Sequence, residues 1–407
     1  MTNRVKCYLR VYLFLMVTLS LILSFPIVSY AKDVIKFGCA IAFTGKYSRE
    51  GKLYVDSYKL AMEQINKMGG IKVGGKSYPI EIKFYDDKSS DSESAKLVEK
   101  LITQDKVDLL LGPYTSWITI ANSLVAQRYK IPMIEGGGAS SKIFSRGNKY
   151  IFGTLPAAGQ YFKSTIEMLT TFKPKPKTIA ILYADDKFNI MVGKGAKKTA
   201  EKLGFKVVYF EKYSSENTDF TTMLTKLKSI KPDAVLVGSH LGTGINLLHQ
   251  AKELDVNFPF ISLTVGPSEA NFRKSLGKDA EYVFGVASWS LQMNFKGYLF
   301  KDTKEFIKMF KEKYGYDPDY HNASGIAVLA VFKDAIQRAN TLNPEKVRDA
   351  IAKTSLDTIY GHVEFNPNGQ IKGTSVALQI QGGEIYQVYP KGSRKPIYPA
   401  PPWKKRK

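Results

Sequence analysis

A glycine-rich loop is the first part of this sequence whose residue types suit chemistry. The stretch IEGGGASSK, residues 134–142, follows the short apolar run KIPMI and is therefore predicted to leave a strand. Glycines let the backbone approach another group closely, and free N–H groups attract anions. The loop therefore suits a phosphate site, an oxyanion hole, a small-solute site or a plain turn. The residues predicted here to contact a ligand are Gly137, Gly138, Ala139, Ser140 and Ser141.

The sequence motifs give little support to a phosphate site or to an oxyanion hole. The stretch VGKGAKKT, residues 192–199, lacks the spacing of a phosphate-binding loop and has no strand directly before it. The chain contains neither the dinucleotide fingerprint G-x-G-x-x-G nor the nucleophile elbow G-x-S-x-G. Its histidines, cysteines and acids show no metal-site spacing. We therefore expect no catalytic residue, no metal and no other cofactor.

Three further side chains stand where predicted strands end. Ser116 opens the predicted helix SWITIANSLVAQRYK and is predicted to cap it, and one hydroxyl can cap a helix and contact an anion. His240, in the stretch GSHLGTG, either donates to a ligand carboxylate or carbonyl or lies in a surface loop. Trp117 either lines a cleft or packs in the core, and the same alternatives apply to Trp289.

Alternating strands and helices position these loops. Near-continuous apolar runs such as VIKFGCAIAF alternate with helical patterns such as LYVDSYKLAMEQINKMGG, and the alternation repeats from KTIAILYAD onward. Such strands indicate parallel sheets covered on both faces by helices. The predicted fold class is α/β, with two doubly wound parallel-sheet lobes joined by several crossover segments. Ligands bind beyond the carboxyl ends of such strands, so a ligand cleft is expected between the lobes.

The N-terminus has the layout of a secretory signal peptide. Basic residues precede the uncharged apolar run VYLFLMVTLSLILSFPIV, and the small residues Ser29 and Ala31 follow it. An uncleaved membrane anchor is the alternative, and the small residues favour cleavage after Ala31. Cys39 would be the only mature cysteine, so no internal disulfide is expected. The mature protein is therefore expected to be soluble in the periplasm.

The charge of the chain is strongly positive. The formal net charge is +22, and three basic residues of the signal would leave 22 − 3 = +19. Such a balance suits nucleic acid or an anionic membrane surface. The basic residues are spread along helix faces and lack a basic-aromatic recognition module, so we expect a solvated basic surface and no nucleic-acid partner.

The order of several segments resembles one known family. The stretches IAFTGKYSREG, AMEQINKMGGI, LLLGPYTS, IPMIEGGGASS and YGYDPDYHNASGIAVLAVFKDAIQRA are similar to segments of the periplasmic solute-binding proteins of ABC importers, of the branched-chain amino acid (leucine/isoleucine/valine) type. The resemblance runs from about residue 36 to about residue 390. It implies the type I periplasmic binding protein fold and a protein that binds a solute without transforming it.

The resemblance also implies roles for single residues. Ser116 matches a ligand position, and the loop around residues 138–141 matches one that binds the ligand's carboxylate and amino groups. Phe188 stands where the family has a tyrosine that packs on the ligand. Two residues depart from the pattern: Glu50 replaces an aromatic or apolar contact, and Thr243 replaces the carboxylate that binds an α-ammonium. Either Asp185, Asp186 or Glu50 supplies the missing negative charge, or the ligand is not an α-amino acid.

The expected function is capture of a small polar solute, either an amino acid or a related amide or carboxylate, and its delivery to the membrane subunits of an ABC permease. A ligand-sensing receptor with the same clamp is the alternative, but a sensor is expected to be fused to a signalling module or to dock on one, and the sequence up to PPWKKRK shows none, so transport is favoured. We expect a monomer. The predicted division is a signal peptide at 1–31, a first lobe at 32–155 plus 290–375, a second lobe at 156–289 plus 376–395, and a basic, proline-rich tail at 396–407.

Overall fold

The computed structural model describes residues 33–406, so the predicted signal peptide lies outside the described part of the chain. The strands in chain order are β1 Ile35–Ile41, β2 Ile71–Val73, β3 Lys76–Tyr78, β4 Ile80–Asp86, β5 Leu109–Leu111, β6 Met133–Glu135, β7 Ile151–Gly153, β8 Thr178–Ala184, β9 Lys206–Tyr213, β10 Ala234–Gly238, β11 Ile261–Leu263, β12 Phe284–Ala287, β13 Ser355–Thr358, β14 Gly361–Glu364, β15 Val376–Gln381 and β16 Glu384–Tyr389. Most form two large sheets.

The helices connect the strands of these sheets. In chain order they are α1 Ser48–Lys67, α2 Asp91–Thr103, α3 Ser116–Tyr129, α4 Ser141–Phe144, α5 Lys163–Leu169, α6 Lys187–Lys202, α7 Thr221–Ile230, α8 Leu241–Glu253, α9 Ala270–Leu276, α10 Thr303–Tyr314, α11 Tyr320–Ala339 and α12 Pro344–Ala352. Side-chain caps fix several starts. The Asp319 carboxylate accepts the His321 N–H at 2.9 Å, and Asn343 caps α12 just before Pro344.

The first sheet has the order β4-β1-β5-β6-β7 and is parallel throughout. We call the part of the chain built on it the first lobe. Its strands β5 and β6 are fully buried, because helices cover both faces. Helices α1 and α11 pack against each other, as do α2 and α3. The predicted doubly wound α/β class is confirmed.

The second sheet has the order β16-β15-β12-β11-β10-β8-β9, and we call the part built on it the second lobe. Strands β8 to β12 pair in parallel, whereas β15 pairs antiparallel with both β12 and β16. The antiparallel edge arises because β15 and β16 form a hairpin over Gly382 and Gly383, which both have positive φ. The predicted parallel sheet therefore comprises β8 to β12, and β15 and β16 add an antiparallel edge to it.

The chain passes between the two lobes three times, between β7 and β8, between β12 and α11, and between β14 and β15. The last pass stays attached to the first lobe up to Ile371, whose N–H donates to the Gly153 carbonyl at 2.9 Å. One buried apolar cluster runs through both lobes. The carboxyl ends of the two sets of strands consequently face each other.

The C-terminal tail packs on the second lobe. Trp403 is 5% exposed, and its indole N–H donates to the Val256 carbonyl at 2.7 Å. Tyr398 stacks on Phe172 with ring centroids 4.6 Å apart, and the Arg406 guanidinium donates to the Asp279 carbonyl at 3.0 Å. The aromatic residues of the tail thus anchor it, although its sequence is basic and rich in proline.

One segment matches the sequence pattern of a phosphate-binding loop but does not fold as one. Residues 70–77, GIKVGGKS, fit the pattern of a phosphate-binding loop, G-x-x-x-x-G-K-[ST]. The segment forms the hairpin of β2 and β3, with Gly74 and Gly75 at its turn, both at positive φ. A phosphate loop must run from a strand into a helix N-terminus, and this one runs into another strand.

Across residues 33–406, no helix is both long and apolar enough to cross a membrane.

Candidate functional site

The carboxyl ends of strands from both lobes line one narrow cavity, whose water-accessible volume of about 20 Å³ has room for about one water molecule. The first lobe contributes walls from the loops after β5 and β6 and from the start of α11, and the second lobe contributes walls from the segments after β8, β10 and β11. The lining residues are Tyr114, Thr115, Ser116, Gly137, Ala139, Leu155, Tyr161, Phe188, His240, Val265 and Tyr320. The cavity adjoins two larger openings of about 330 and 300 Å³, with which it shares His240. Ligand pockets usually measure ~300–1,000 Å³, so the cavity together with these openings suits a small solute.

The glycine-rich loop folds around a buried carboxylate. Glu135 ends β6 and is fully buried, and its Oε2 accepts the N–H groups of Gly137 at 2.9 Å and Gly138 at 2.5 Å. Burial raises the pKa of Glu135 to about 8, although the two N–H bonds favour the carboxylate. A Cβ at Gly138 would lie 2.6 Å from the Ile143 Cδ1 atom. Close packing therefore requires glycine here, and the N–H groups of Gly137 and Gly138 point away from a ligand.

Ser116 joins the loops after β5 and β6. The helix cap is Thr115, whose Oγ1 accepts the Trp117 N–H at 3.2 Å, so the prediction of Ser116 as the cap is wrong by one residue. Ser116 Oγ is free of that role and accepts the N–H groups of Ala139 at 3.1 Å and Ser140 at 3.0 Å. The N–H groups of Ala139 and Ser140 are thereby satisfied, and the Ser116 O–H is the donor that remains at the cavity wall, at the N-terminus of α3. This arrangement favours a negatively charged or carbonyl group of a solute.

Aromatic rings form most of the remaining wall. Phe188 and Tyr161 pack edge to face with centroids 5.0 Å apart. Tyr114 packs edge to face against His321 at 5.5 Å, and His321 stacks on Tyr320 at 3.9 Å. These rings come from both lobes, and they suit an apolar or planar body in the solute.

His240 is the one charged group among the lining residues. It precedes α8, and its Nε2 lies 3.2 Å from Asp186 Oδ2, while its Nδ1 is 3.4 Å from the Tyr114 hydroxyl. Burial by itself lowers the pKa of His240, but the Asp186 carboxylate outweighs that effect and the net shift is upward. Burial by itself raises the pKa of Asp186, but His240 and the hydrogen bonds donated to this carboxylate outweigh that effect and hold its pKa well below the usual range. The two groups therefore stabilise each other's charged form, and both ring nitrogens of His240 have partners within the protein.

Asp186 has little capacity left for a ligand. It caps α6, accepting the N–H groups of Phe188 at 2.9 Å and Asn189 at 3.1 Å on Oδ1. Its Oδ2 accepts from the Asn189 side-chain amide at 2.6 Å and faces His240. The charge and the lone pairs of Asp186 are consequently used within the second lobe.

A buried ionic cluster crosses between the lobes beside the cavity. Arg49 Nη1, on α1, lies 2.6 Å from Glu269 Oε2 and 3.0 Å from Glu50 Oε1. The contact with Glu269 lacks hydrogen-bond directionality, so neither oxygen of this fully buried side chain accepts a hydrogen bond from the described residues. Burial raises the pKa of Glu269, and Arg49 offsets only part of that shift. His321 lies behind this cluster, paired with Asp319 at 3.1 Å.

Comparison with known proteins identifies the family. A model described as periplasmic binding protein matches residues 34–384. The chain belongs to the periplasmic binding protein family. The resemblance seen in the sequence is thereby confirmed.

The chain is similar to several proteins of known name. The leucine-, isoleucine-, valine-, threonine- and alanine-binding protein of Pseudomonas aeruginosa is 28% identical over 365 residues, which cover 86% of this chain and 91% of the relative. A branched-chain amino acid transporter substrate-binding protein of Streptococcus pneumoniae, solved with isoleucine, has a TM-score of 0.76 at 21% identity and covers 86% of this chain and 97% of its own. A solute-binding protein of Rhodopseudomonas palustris, solved with 3,4-dihydroxybenzoic acid, has a TM-score of 0.76 at 23% identity and covers 92% and 100%.

The family cavity contains four of the predicted ligand residues. Ser116, Ala139, Phe188 and His240 all line it. The predicted residues Gly138, Ser140 and Ser141 do not. Gly138 and Ser140 are buried behind the wall, and Ser141 is the first residue of the short helix α4.

The other predicted residues lie in the openings that adjoin the cavity. Glu50 and Thr243 line an open cleft, where Glu50 contacts Arg49 and the Thr243 hydroxyl donates to the His240 carbonyl at 3.1 Å. Glu50 lies in the first turn of α1. Trp117 is 48% exposed beside a second opening.

The structure shows what Trp289 and Asp185 contact. Trp289 is fully buried, and its indole N–H donates to the Ile359 carbonyl at 2.8 Å, so it packs in the core. Asp185 accepts the Ser215 N–H at 2.9 Å. In residues 33–406 no three His, Cys, Asp or Glu side chains are grouped so that they could hold a metal ion.

Sequence reasoning missed most of the aromatic wall and the cross-lobe pair. Tyr114 precedes Ser116 by two residues in the same strand-end loop, and that position could have been used to find it. Tyr161 and Tyr320 come from segments that cross between lobes, where no local pattern marks a ligand contact. Glu269 follows β11, and its partner Arg49 lies 220 residues earlier, so only the tertiary structure joins them.

Proposed function

We propose that this protein is an exported solute receptor of an ABC importer, which captures a small polar solute between its lobes and delivers it to permease subunits in the membrane. The solute is an amino acid or a related amide or carboxylate. The protein performs no catalysis and acts as a monomer in the periplasm after cleavage of residues 1–31. The first lobe comprises 32–155 plus 290–375, the second 156–289 plus 376–395, and a tail follows at 396–407.

One observation carries this proposal: both lobes supply walls of a single cavity between them. Ser116 and Ala139 come from the first lobe, and Phe188, His240 and Val265 from the second. A solute in this cavity touches both lobes, and it therefore stabilises the closed arrangement relative to an open one. The family and its named relatives support the same function, since those relatives bind amino acids or an aromatic acid.

The direct test has two stages. A thermal-shift panel of amino acids, amides and small carboxylates should yield at least one solute that raises the melting temperature, because binding to the native state stabilises it. Small-angle scattering with that solute should then show a smaller radius of gyration than the solute-free protein. A panel without any stabilising solute, or a hit without compaction, would contradict the proposal.

A pair of serine variants tests the predicted contact set. Ser116→Ala removes the hydroxyl on the cavity wall and should weaken binding of the panel hit by about tenfold, since a hydrogen bond to a charged group contributes roughly 1.5–3 kcal/mol. Ser141→Ala is the matched control, because Ser141 belongs to the same loop and does not line the cavity. Isothermal titration calorimetry measures both. Equal affinities for the wild type and Ser116→Ala would remove Ser116 from the site.

A further inference from the structure

The second lobe has one end that faces away from the cavity. The cavity lies at the carboxyl ends of β8, β10 and β11, so the amino ends of these strands form the opposite end of the lobe, which we call the base. Three of the segments that enter the sheet at the base bring lysine. Lys173, Lys175 and Lys177 precede β8, Lys206 begins β9, and Lys231 precedes β10.

Contacts between these segments place the lysines close together. The Lys206 N–H donates to the Lys177 carbonyl at 2.9 Å, and the Lys177 N–H donates at 2.7 Å to Asp233 Oδ2, in the segment that enters β10. The Lys175 ammonium lies 5.1 Å from the centroid of the Phe205 ring, directly before β9. Lysines that are up to 58 residues apart in the sequence therefore share one surface.

The C-terminal tail brings two more lysines to the base. The segment that enters β11, residues 255–260, contains no lysine, and the tail packs at that place. The Trp403 N–H donates to Asn257 Oδ1 at 2.8 Å. Lys404 and Lys405 follow directly and are exposed. The buried indole thus holds the basic end of the tail against the base.

We define the lysine patch by six exposed side chains: Lys173, Lys175, Lys177, Lys206, Lys231 and Lys405. Two nearby acids are buried and engaged elsewhere. Asp279 pairs with Lys252 at 2.7 Å, and Glu281 accepts backbone N–H groups of the hairpin between β15 and β16. The exposed Asp255 lies 3.9 Å from Lys404, which is left out of the patch for that reason. The patch therefore presents positive charge to solvent.

The residue types of the patch suit an extended anionic surface. A lysine ammonium is a hydrated point charge on a flexible stem, so a group of lysines fits a field of anionic head groups without a shaped pocket. Single-stranded nucleic acid would also need free rings on which bases stack. Trp403 is buried, and Tyr398 stacks on Phe172, so these two rings of the tail are already used.

We infer that the base of the second lobe docks on an anionic lipid bilayer through the lysine patch. The inference goes beyond the proposed function and does not depend on the solute. A protein docked in this way turns the carboxyl ends of its strands away from the lipid, so the openings beside the cavity stay accessible to a solute.

Vesicle flotation tests the inference on wild-type protein without residues 1–31, which keeps the whole described fold. Phosphatidylcholine vesicles that contain about 30% phosphatidylglycerol should bind the protein at least tenfold more tightly than pure phosphatidylcholine vesicles in about 0.1 M salt. Raising the salt to about 0.5 M should remove most of this binding, because it shortens the range of the attraction. Equal binding to both kinds of vesicle, or binding that salt does not weaken, overturns the inference.

A triple variant tests the patch itself. Lys173→Gln, Lys175→Gln and Lys177→Gln together should weaken binding to the anionic vesicles by tenfold or more, because each lysine near such a surface strengthens binding by about fivefold. A melting curve establishes that the variant folds. Unchanged vesicle binding by the folded variant overturns the role of the patch, and the wild-type comparison does not depend on any variant.

The matched control removes the same charge from the first lobe. Lys304→Gln, Lys308→Gln and Lys311→Gln change three exposed lysines of α10, which contacts α1 through a 2.7 Å hydrogen bond from the Tyr314 hydroxyl to the Asp56 carbonyl. This variant should bind the anionic vesicles within about threefold of the wild type, because its lysines lie outside the patch. Equal losses in the two variants would mean that net charge, not the base, causes the binding, and would overturn the inference.

Two further outcomes are distinct. If a mixed-sequence oligonucleotide binds more tightly than the anionic vesicles and the patch variant loses that binding, the patch belongs to nucleic acid and the inference is wrong. None of these measurements uses a solute. A failure here therefore leaves the solute-receptor proposal standing, and a failure of the solute panel leaves the vesicle result standing.

Discussion

Replacing Glu135 by glutamine should flatten the pH dependence of stability. The folded protein holds this buried carboxyl at a pKa of about 8, against an ordinary value of 4.5. Between these two pH values the unfolded chain releases the proton and the folded chain keeps it, so the free energy of unfolding falls as pH rises from 4.5 to 8. At about 1.4 kcal/mol per pH unit, the loss amounts to about 5 kcal/mol. Below pH 4.5 this contribution is fully present, and above pH 8 it is absent.

The variant lacks this contribution because an amide does not titrate. Glutamine resembles the protonated side chain that the folded protein holds at neutral pH, and its carbonyl can still accept from Gly137 and Gly138. Its amide N–H groups occupy the place of Glu135 Oε1, which has no partner among the described residues, and they lower stability by a roughly constant amount of about 1–3 kcal/mol. The slope against pH, not the offset, therefore reports on Glu135.

Urea denaturation followed by circular dichroism from pH 4.5 to pH 9 measures the effect. The difference in unfolding free energy, variant minus wild type, should rise steadily to about pH 8 and then level off. Glu253→Gln is the control, because Glu253 is an exposed glutamate at the end of α8, and its curve should run parallel to that of the wild type. Parallel curves for Glu135→Gln and the wild type would refute the argument that burial keeps this carboxyl protonated.

Two further variants test the packing of the glycine-rich loop and of the C-terminal tail. Gly138→Ala should lower the unfolding free energy by about 1–3 kcal/mol, because its methyl group would lie 2.6 Å from the nearest side-chain carbon. Gly242→Ala, which meets nothing within 4 Å, should not lower it, and equal losses in the two variants would refute the steric reason. Trp403→Ala should lower the unfolding free energy by about 3–5 kcal/mol in urea titrations, since the indole anchors the tail. Trp117→Ala removes an exposed tryptophan and should cost less than about 1 kcal/mol; a similarly small loss in Trp403→Ala would mean that the tail is not anchored.

The sequence by itself determined the alternation of strands and helices and the family. These features are local: an apolar run such as β5 is buried on both faces, and a helix such as α1 repeats its apolar residues with the helical period. The same local logic placed Ser116 and His240 at strand ends, where ligands of such folds bind. The resemblance to the family, in turn, marked Thr243 as a position where an acid was expected.

Only the tertiary structure decided which groups remain free to bind. The sequence contains Asp186 and Glu50 close to the predicted site, and it cannot tell that His240 and Arg49 already occupy them. It contains three glycines, and it cannot tell that the N–H groups of the second and third point to Glu135. Charge pairing and burial depend on neighbours far apart in the chain, and they fix the pKa and the hydrogen-bonding capacity of each group. The sequence therefore located the strand-end loops of the cavity, and the folded arrangement determined that it presents a serine hydroxyl, aromatic rings and a histidine paired with Asp186.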